Sequence, residues 1–453
     1  MISLWNPSYG RAKSHTVDSM TDDEFLKMVL SLHSELVESL EWSSVADNDE
    51  QCAQELPDLI RQLCQKRASE LSHGLQEAVA AAVMAESVGL GPLEPLLADP
   101  QISDILVNRF DEVYIESNGQ LSRANVQFAD DAHVMRIIQR IAARVGRRLD
   151  ESSPVVDARM ADGSRVHAVA PPLAVRGPTI SIRRFSAKPL LLGNLVSCAS
   201  MSGNMAAFLA AAVVARVSCL ISGGTGAGKT TLLNAMSANI PTDERIITIE
   251  DVTELRLVHP HVVSLEARNS NVDGRGEVTI RELVRNSLRM RPDRIVVGEV
   301  RGNEAIDMLQ ALNTGHEGSM TTIHANDTRD ALARLELLVG MSGYDFSLPV
   351  LRQYIATGVK LLVHVGRQKG GARRVLRVAE LLGIENGEYR LEDIFRFRQT
   401  GLDSQGRATG EFSATGYQPK CIERIREAGT SISDSLFTSA ASPLEARAAN
   451  EQR

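Results

Sequence analysis

Aromatic residues make up only 4% of this 453-residue chain, and its 49 Lys and Arg are outnumbered by 57 Asp and Glu, for a net charge of −8. Gripping single-stranded nucleic acid takes a cationic groove lined with stacking rings, and this composition provides neither overall. No nucleic-acid partner is expected; protein partners are. Long apolar runs are also missing. No stretch approaches the ~18 residues that span a bilayer, and Met1-Ile2-Ser3-Leu4-Trp5 is not a basic segment leading into an apolar one. Cysteine is sparse: Cys52, Cys64, Cys198, Cys219 and Cys421 form no C-x-x-C pair and read as reduced core thiols of a cytoplasmic protein. With 43% hydrophobic and 23% charged residues, the chain has the composition of a globular protein with room for two or three domains.

The most specific signal present is an apolar strand, Ser218-Cys219-Leu220-Ile221-Ser222, running into Gly223-Gly224-Thr225-Gly226-Ala227-Gly228-Lys229-Thr230-Thr231 and then a helical segment from Leu232 to Ala238. This is G-x-x-x-x-G-K-[ST] between a strand and a helix, the context a phosphate-binding loop requires. Its glycines let successive N–H groups turn toward an anion, and the helix that follows adds partial positive charge there. Lys229 is placed to reach the β- and γ-phosphates, and Thr230 to offer its hydroxyl to Mg²⁺.

Around this loop the chain divides. Residues 1–88 carry helical spacing at Phe25, Leu26, Val29, Leu32, Leu36, Val37 and Leu40, and again from about Gln51 to Val88, predicting a helical N-terminal module. Residues 89–186 read as an α+β domain: strands at 105–107 and 113–115, a hairpin turn at Asn118-Gly119, and a helix with Asp131 as cap and Gly146 as stop. Strands at 155–160 and 165–170 then flank Asp162-Gly163, and a last one covers 179–184. Pro189 and the leucines after it read as a linker. From 187 to 427 strands and helices alternate, which predicts a parallel sheet with helices on both faces, with antiparallel strands at its edge after 361. Beyond Gln399 the chain is polar apart from a short helix at 422–426, and 428–453 is expected as a disordered tail.

Hydrolysis at such a loop needs a carboxylate to orient water and groups to hold Mg²⁺. One apolar strand delivers Glu250, Asp251 and Glu254; another, Arg294-Ile295-Val296-Val297-Gly298, ends in Glu299. Gly298 stands where many phosphate-loop enzymes place an aspartate, leaving Mg²⁺ to Thr230 and water with help from Asp251 or Glu250. His316 and His324 flank a strand at a spacing unlike a zinc site and suit a donor that reads the γ-phosphate. Arg159, Arg165, Arg183 and Arg184 form a set of cations from which an arginine finger could come. No Asn-Lys-x-Asp or Leu-Ser-Gly-Gly-Gln occurs, which disfavours GTPases and ABC proteins.

Gly91-Pro92-Leu93-Glu94-Pro95-Leu96, the phosphate loop, Ile249-Glu250-Asp251, Arg289 through Arg301, and Thr314-Gly315-His316 with Thr321-Thr322-Ile323-His324-Ala325 together resemble the secretion ATPase superfamily of type II and type IV secretion and type IV pili. The likeness is strongest to CpaF-like ATPases of Tad (Flp) pilus assembly. The resemblance spans about residues 75 to 425. It implies an ATP- and Mg²⁺-dependent RecA-like motor, a homo-hexamer on the cytoplasmic face of the inner membrane engaging membrane platform proteins. The acidic box falls on Glu250, Asp251 and Glu254, the Walker B glutamate on Glu299 and the histidine box on His316 and His324; Arg165 and Arg183 are favoured among the arginines. Two other readings share the fold, a nucleic-acid translocase and a regulator that binds nucleotide without hydrolysing it. The composition disfavours the first, and the presence of Glu250 and Glu299 the second.

Overall fold

The computed structural model describes residues 20–39, 49–117, 119–184, 189–268, 275–344, 346–438 and 441–443. The chain forms two compact units, Met1–Ser186 and Ala187–Arg453.

In the first unit, helices Asp22–Ser39, Asp49–Arg67 and His73–Val88 bury Val29, Leu32, Leu36, Ile60, Cys64, Val79 and Val83 together. The helical stretch expected from 51 to 88 is thus two helices. It breaks at 68–72, where the Gln76 amide closes the turn by donating to the Ala68 and Leu71 carbonyls. Strands β1 (Ile102–Arg109), β2 (Glu112–Ser117), β3 (Gln120–Arg123), β4 (Val155–Arg159), β5 (Arg165–Val169) and β6 (Thr179–Arg183) form an antiparallel sheet in the order β3-β2-β1-β6-β5-β4. Asn118 of the expected hairpin lies outside the described residues. Helix Asp131–Arg144 packs Val134, Ile137, Ile138 and Ile141 with Ile105, Val166, Ile180 and Ile182 of this sheet, as its apolar stripe demands. Its cap is Asp130, which accepts the His133 N–H at 2.7 Å, and Asp131 is the first helical residue; Gly146 follows the helix with φ 66°, as its stop requires.

The second unit is built on a ten-stranded sheet. Its parallel part comprises β12 (Leu361–Arg367), β7 (Cys219–Gly223), β11 (Met320–His324), β10 (Arg294–Val297), β8 (Ile246–Glu250) and β9 (Val262–Glu266), in that order. Beyond β12, strands β13 (Arg373–Glu385), β14 (Glu388–Leu402), β15 (Ala408–Ala414) and β16 (Ala441–Pro443) continue it antiparallel. The central strands are buried on both faces, which is why they read as unbroken apolar runs. Separate cores form on the two faces. This is the α/β class expected, with antiparallel strands at the edge, except that β12, expected as the first of those antiparallel strands, pairs parallel with β7.

Two expectations fail at the ends of this unit. The segment after Pro189 is no linker, for helix Leu192–Ser197 buries Leu192 and Leu195 in the core. Residues 428–438 are no disordered tail. Phe437 is 3% exposed and its ring lies 5.7 Å from Phe208 and 6.0 Å from Phe395, so local polarity is overridden by one well-placed aromatic anchor. The rest of the expected tail, except 441–443, lies outside the described residues. Cys64 and Cys219 are buried and Cys421 half-buried, whereas Cys198 is exposed; the side chain of Cys52 lies outside the described residues.

Candidate functional site

Parallel pairing brings the carboxyl ends of β7, β11, β10 and β8 side by side along one edge of the sheet. In open α/β sheets that edge is where ligands bind. The phosphate loop leaves β7, His324 ends β11, Glu299 lies just past β10, and Glu250 ends β8.

Glycine is required in the loop for two reasons. Gly226 and Gly228 adopt left-handed conformations, φ 68° and 98°, and a Cβ on Gly223 would lie 2.4 Å from the Val365 carbonyl oxygen. Lys229 opens helix Lys229–Ser237 and is 7% exposed. Its Nζ donates to the carbonyls of Gly223 (3.2 Å) and Gly224 (3.1 Å), and lies 3.2 Å from His324 Nε2. The same His324 nitrogen is 2.8 Å from Glu299 Oε1, while Arg301 Nη2 donates to Glu299 Oε2 at 2.6 Å. Arg301 Nη1 lies 3.9 Å from Asp251 Oδ2. Lys229, His324, Glu299, Arg301 and Asp251 therefore line up along the sheet edge, with His324 Nε2 lying between Lys229 Nζ and Glu299 Oε1. Burial pushes the His324 pKa below its usual value against the opposing pull of Glu299, with Lys229 and Arg301 adding to the depression. The loop after β10 is held in turn by Glu304, which accepts the N–H groups of Arg301 (2.6 Å) and Gly302 (2.8 Å).

Glu250 takes a different course. Its Oε1 accepts the N–H groups of Glu254 and Leu255, both at 3.0 Å, and its Oε2 that of Leu255 at 3.2 Å. It is 4% exposed, and burial raises its pKa to about 7 despite those hydrogen bonds. Both oxygens fasten the loop following β8 instead of reaching toward Lys229.

His316 departs furthest from expectation. Met320 at the start of β11 is level with Cys219 at the start of β7, so His316 precedes the strand at the edge opposite the phosphate loop. The parallel register separates the two histidines by the length of the strand, and only His324 joins the site.

Arg165 and Arg183 belong to the first unit, where they pair directly across β5 and β6. Arg159 is opposite Arg165, and Asp104 opposite Arg183, so the outward face of that sheet carries a row of three guanidiniums ending in an acid. Arg165 lies 3.8 Å from Asp157. Arg184 is structural: its Nη1 donates to the carbonyls of Asp99 and Ile102, locking β6 to the chain before β1.

Sequence reasoning assigned no role to Arg301, although it lies two residues beyond Glu299. Arg373, whose Nε donates to the Gly226 carbonyl of the phosphate loop, had no sequence signal, since only the β12–β13 hairpin brings it there.

A glycine-rich loop between a parallel strand and a helix, with one strand between it and the strand carrying the acid, is the arrangement of a P-loop α/β protein. The chain belongs to the type II/IV secretion system protein family, whose sequence profile matches residues 86–368. It is 45% identical over 306 residues to the "Putative conjugal transfer protein Rv3659c" of Mycobacterium tuberculosis (strain ATCC 25618 / H37Rv), covering 66% of this chain and 86% of that one. It is 33% identical over 318 residues to the type IV secretion system protein VirB11 of Brucella suis biovar 1, covering 64% and 88%. Among solved structures, the Brucella suis VirB11 ATPase in complex with sulphate matches over 63% of this chain and 94% of its own, at 31% identity and a TM-score of 0.35. Among the described residues no helix is long and apolar enough to cross a membrane, and no cluster of three or more His, Cys, Asp or Glu is arranged to hold a metal.

Proposed function

We propose that this chain is an ATP-hydrolysing motor that drives a type II/IV secretion or pilus assembly machine. The observation that carries this is His324 Nε2 lying 2.8 Å from Glu299 and 3.2 Å from Lys229. One imidazole nitrogen thus stands between the phosphate-loop cation and the carboxylate that would act on water.

In this reading the loop from Gly223 to Thr231 cradles the phosphates through backbone N–H groups, and Lys229 exchanges its carbonyl contacts for phosphate oxygens. Glu299 orients the attacking water and accepts its proton once Arg301 yields one of its oxygens. Neutral His324 donates a hydrogen bond that changes when the γ-phosphate leaves. The hard oxygen donors Thr230 and Asp251 suit Mg²⁺, and Gly298 contributes none. When bound, Mg²⁺ would neutralise developing phosphate charge. Asp251 fits this set because Arg301 ties it to the same edge as Glu299.

Further parts of the proposal are a homo-hexamer, in which Arg165 and Arg183 of the antiparallel sheet meet nucleotide, and a place at the cytoplasmic face of the inner membrane against platform proteins. The motif order given above supports a Tad-type pilus as the machine served. The test is steady-state ATP hydrolysis measured across protein concentration, together with mass by light scattering. Activity that rises with a six-fold assembly is expected, and Lys229→Ala should lose binding of a fluorescent ATP analogue. A monomer at every concentration, or unchanged binding by Lys229→Ala, would overturn the reading.

A further inference from the structure

Arg373 begins β13, outside the span matched by the family profile. Its Nε donates to the Gly226 carbonyl at 2.9 Å, in the middle of the phosphate loop. Its stem runs beside Gly228, where an added Cβ would lie 3.5 Å from Arg373 Cδ. The backbone that delivers it is pinned from three sides. Gln368 N–H donates to Ala372 at 2.7 Å across the β12–β13 turn, and Ala408 N–H at the start of β15 donates to the Lys369 carbonyl at 2.9 Å. The neighbouring Arg374 is 8% exposed, its guanidinium 4.7 Å from the Phe397 ring centroid and its Nη2 donating to the Ala408 carbonyl at 2.9 Å. The Arg373 side chain itself is exposed.

Lys229 rests in the same fashion on loop carbonyls, those of Gly223 and Gly224. Two cations thus lie against carbonyls of one loop, Lys229 on Gly223 and Gly224 and Arg373 on Gly226, and the N–H groups of that loop are shaped for an anion. A guanidinium bonded to a neutral carbonyl gains when it exchanges that partner for a phosphate oxygen, since charge-assisted hydrogen bonds are about twice as strong. Its planar fork also matches two phosphate oxygens at once.

We propose that Arg373 is a second cation of the nucleotide site, supplied within the same subunit by the C-terminal extension of the sheet, and that it binds the phosphates of a nucleoside triphosphate. This rests on the nucleotide-site reading above. The antiparallel strands β13 to β15 acquire a task beyond widening the sheet: they hold one arginine against the phosphate loop.

The full chain is titrated with fluorescent ATP and ADP analogues at about 50 and about 500 mM salt, where screening differs several-fold. Arg373→Gln keeps a planar donor for Gly226 without the charge, and Arg373→Lys keeps the charge without the fork. Arg373→Gln should weaken ATP-analogue binding about tenfold at low salt and less at high salt, with a smaller loss for the ADP analogue; Arg373→Lys should recover part of it. Wild-type affinity in Arg373→Gln overturns the inference, as does a loss equal at both salt concentrations, the mark of a packing defect. Lys229→Ala run in parallel separates the failures. Its unchanged binding removes the nucleotide-site reading and this inference together, whereas its loss beside an unaffected Arg373→Gln removes the inference alone.

Discussion

Gly298 fits against Glu250: a Cβ on Gly298 would stand 2.7 Å from Glu250 Cγ and 3.0 Å from its Oε1. The absence of a side chain just before Glu299, which from sequence alone looks like a missing metal ligand, is a packing requirement of the neighbouring strand. Glu250 occupies the space because its carboxylate must reach back to the N–H groups of Glu254 and Leu255.

Replacing Gly298 with Asp, the residue many phosphate-loop enzymes carry there, should therefore harm the protein. The added atoms meet a buried carboxylate, and the second negative charge lies beside it, so Gly298→Ala should cost about 1–3 kcal/mol by overpacking and Gly298→Asp more. Denaturant midpoints measure this. In a double-mutant cycle, Glu250→Ala should relieve a large part of the Gly298→Ala cost; strictly additive effects would show that the two residues do not compete for space.

Glu250 also predicts a pH dependence of stability. A carboxyl whose pKa rises from 4.5 unfolded to about 7 folded binds its proton more tightly in the native state. Stability from this group is then complete below pH about 4.5, declines as pH rises through that window, and is lost above about 7. The full difference is about 3 kcal/mol. Glu250→Gln cannot ionise, so melting temperatures from pH 5 to 8 should fall less steeply for the mutant than for the wild type. Parallel curves would assign the pH dependence to other groups.

Glu299→Gln should bind the ATP analogue with near wild-type affinity while turnover falls about 10²–10⁴-fold, because the amide fills the same space yet takes no proton. Single-turnover hydrolysis with labelled ATP separates the two quantities. Wild-type turnover in this mutant beside an inactive Glu250→Gln would exchange the roles of β10 and β8.

The paired arginines of β5 and β6 predict complementation. If Arg183 acts across a subunit boundary, rings mixed from Lys229→Ala and Arg183→Ala subunits should hydrolyse ATP faster than either mutant alone, since some interfaces then join an intact loop to an intact arginine; a finger is worth about 10³–10⁵ in turnover. No recovery in rings proven to be mixed would place Arg183 within its own subunit or in a purely structural part.

Much of this architecture is legible along the chain because it depends on near neighbours. The apolar strand before Gly223, the glycines that need left-handed backbone, and Lys229 with its helix are a local pattern, so the phosphate loop and the alternating strands and helices could be read directly. Glu299 at the end of an apolar strand was legible for the same reason. What tertiary structure alone decided is register and who stands beside whom. The pairing of Met320 with Cys219 carries His324 to Lys229 and leaves His316 at the far edge. The hairpin after β12 brings Arg373 to Gly226, and Phe437 enters the core to form a three-ring cluster with Phe208 and Phe395 from a stretch whose own composition promised disorder. Such contacts join residues distant in sequence through strand order, and strand order is set by which apolar faces are buried together, a property of the whole sheet that no local window contains.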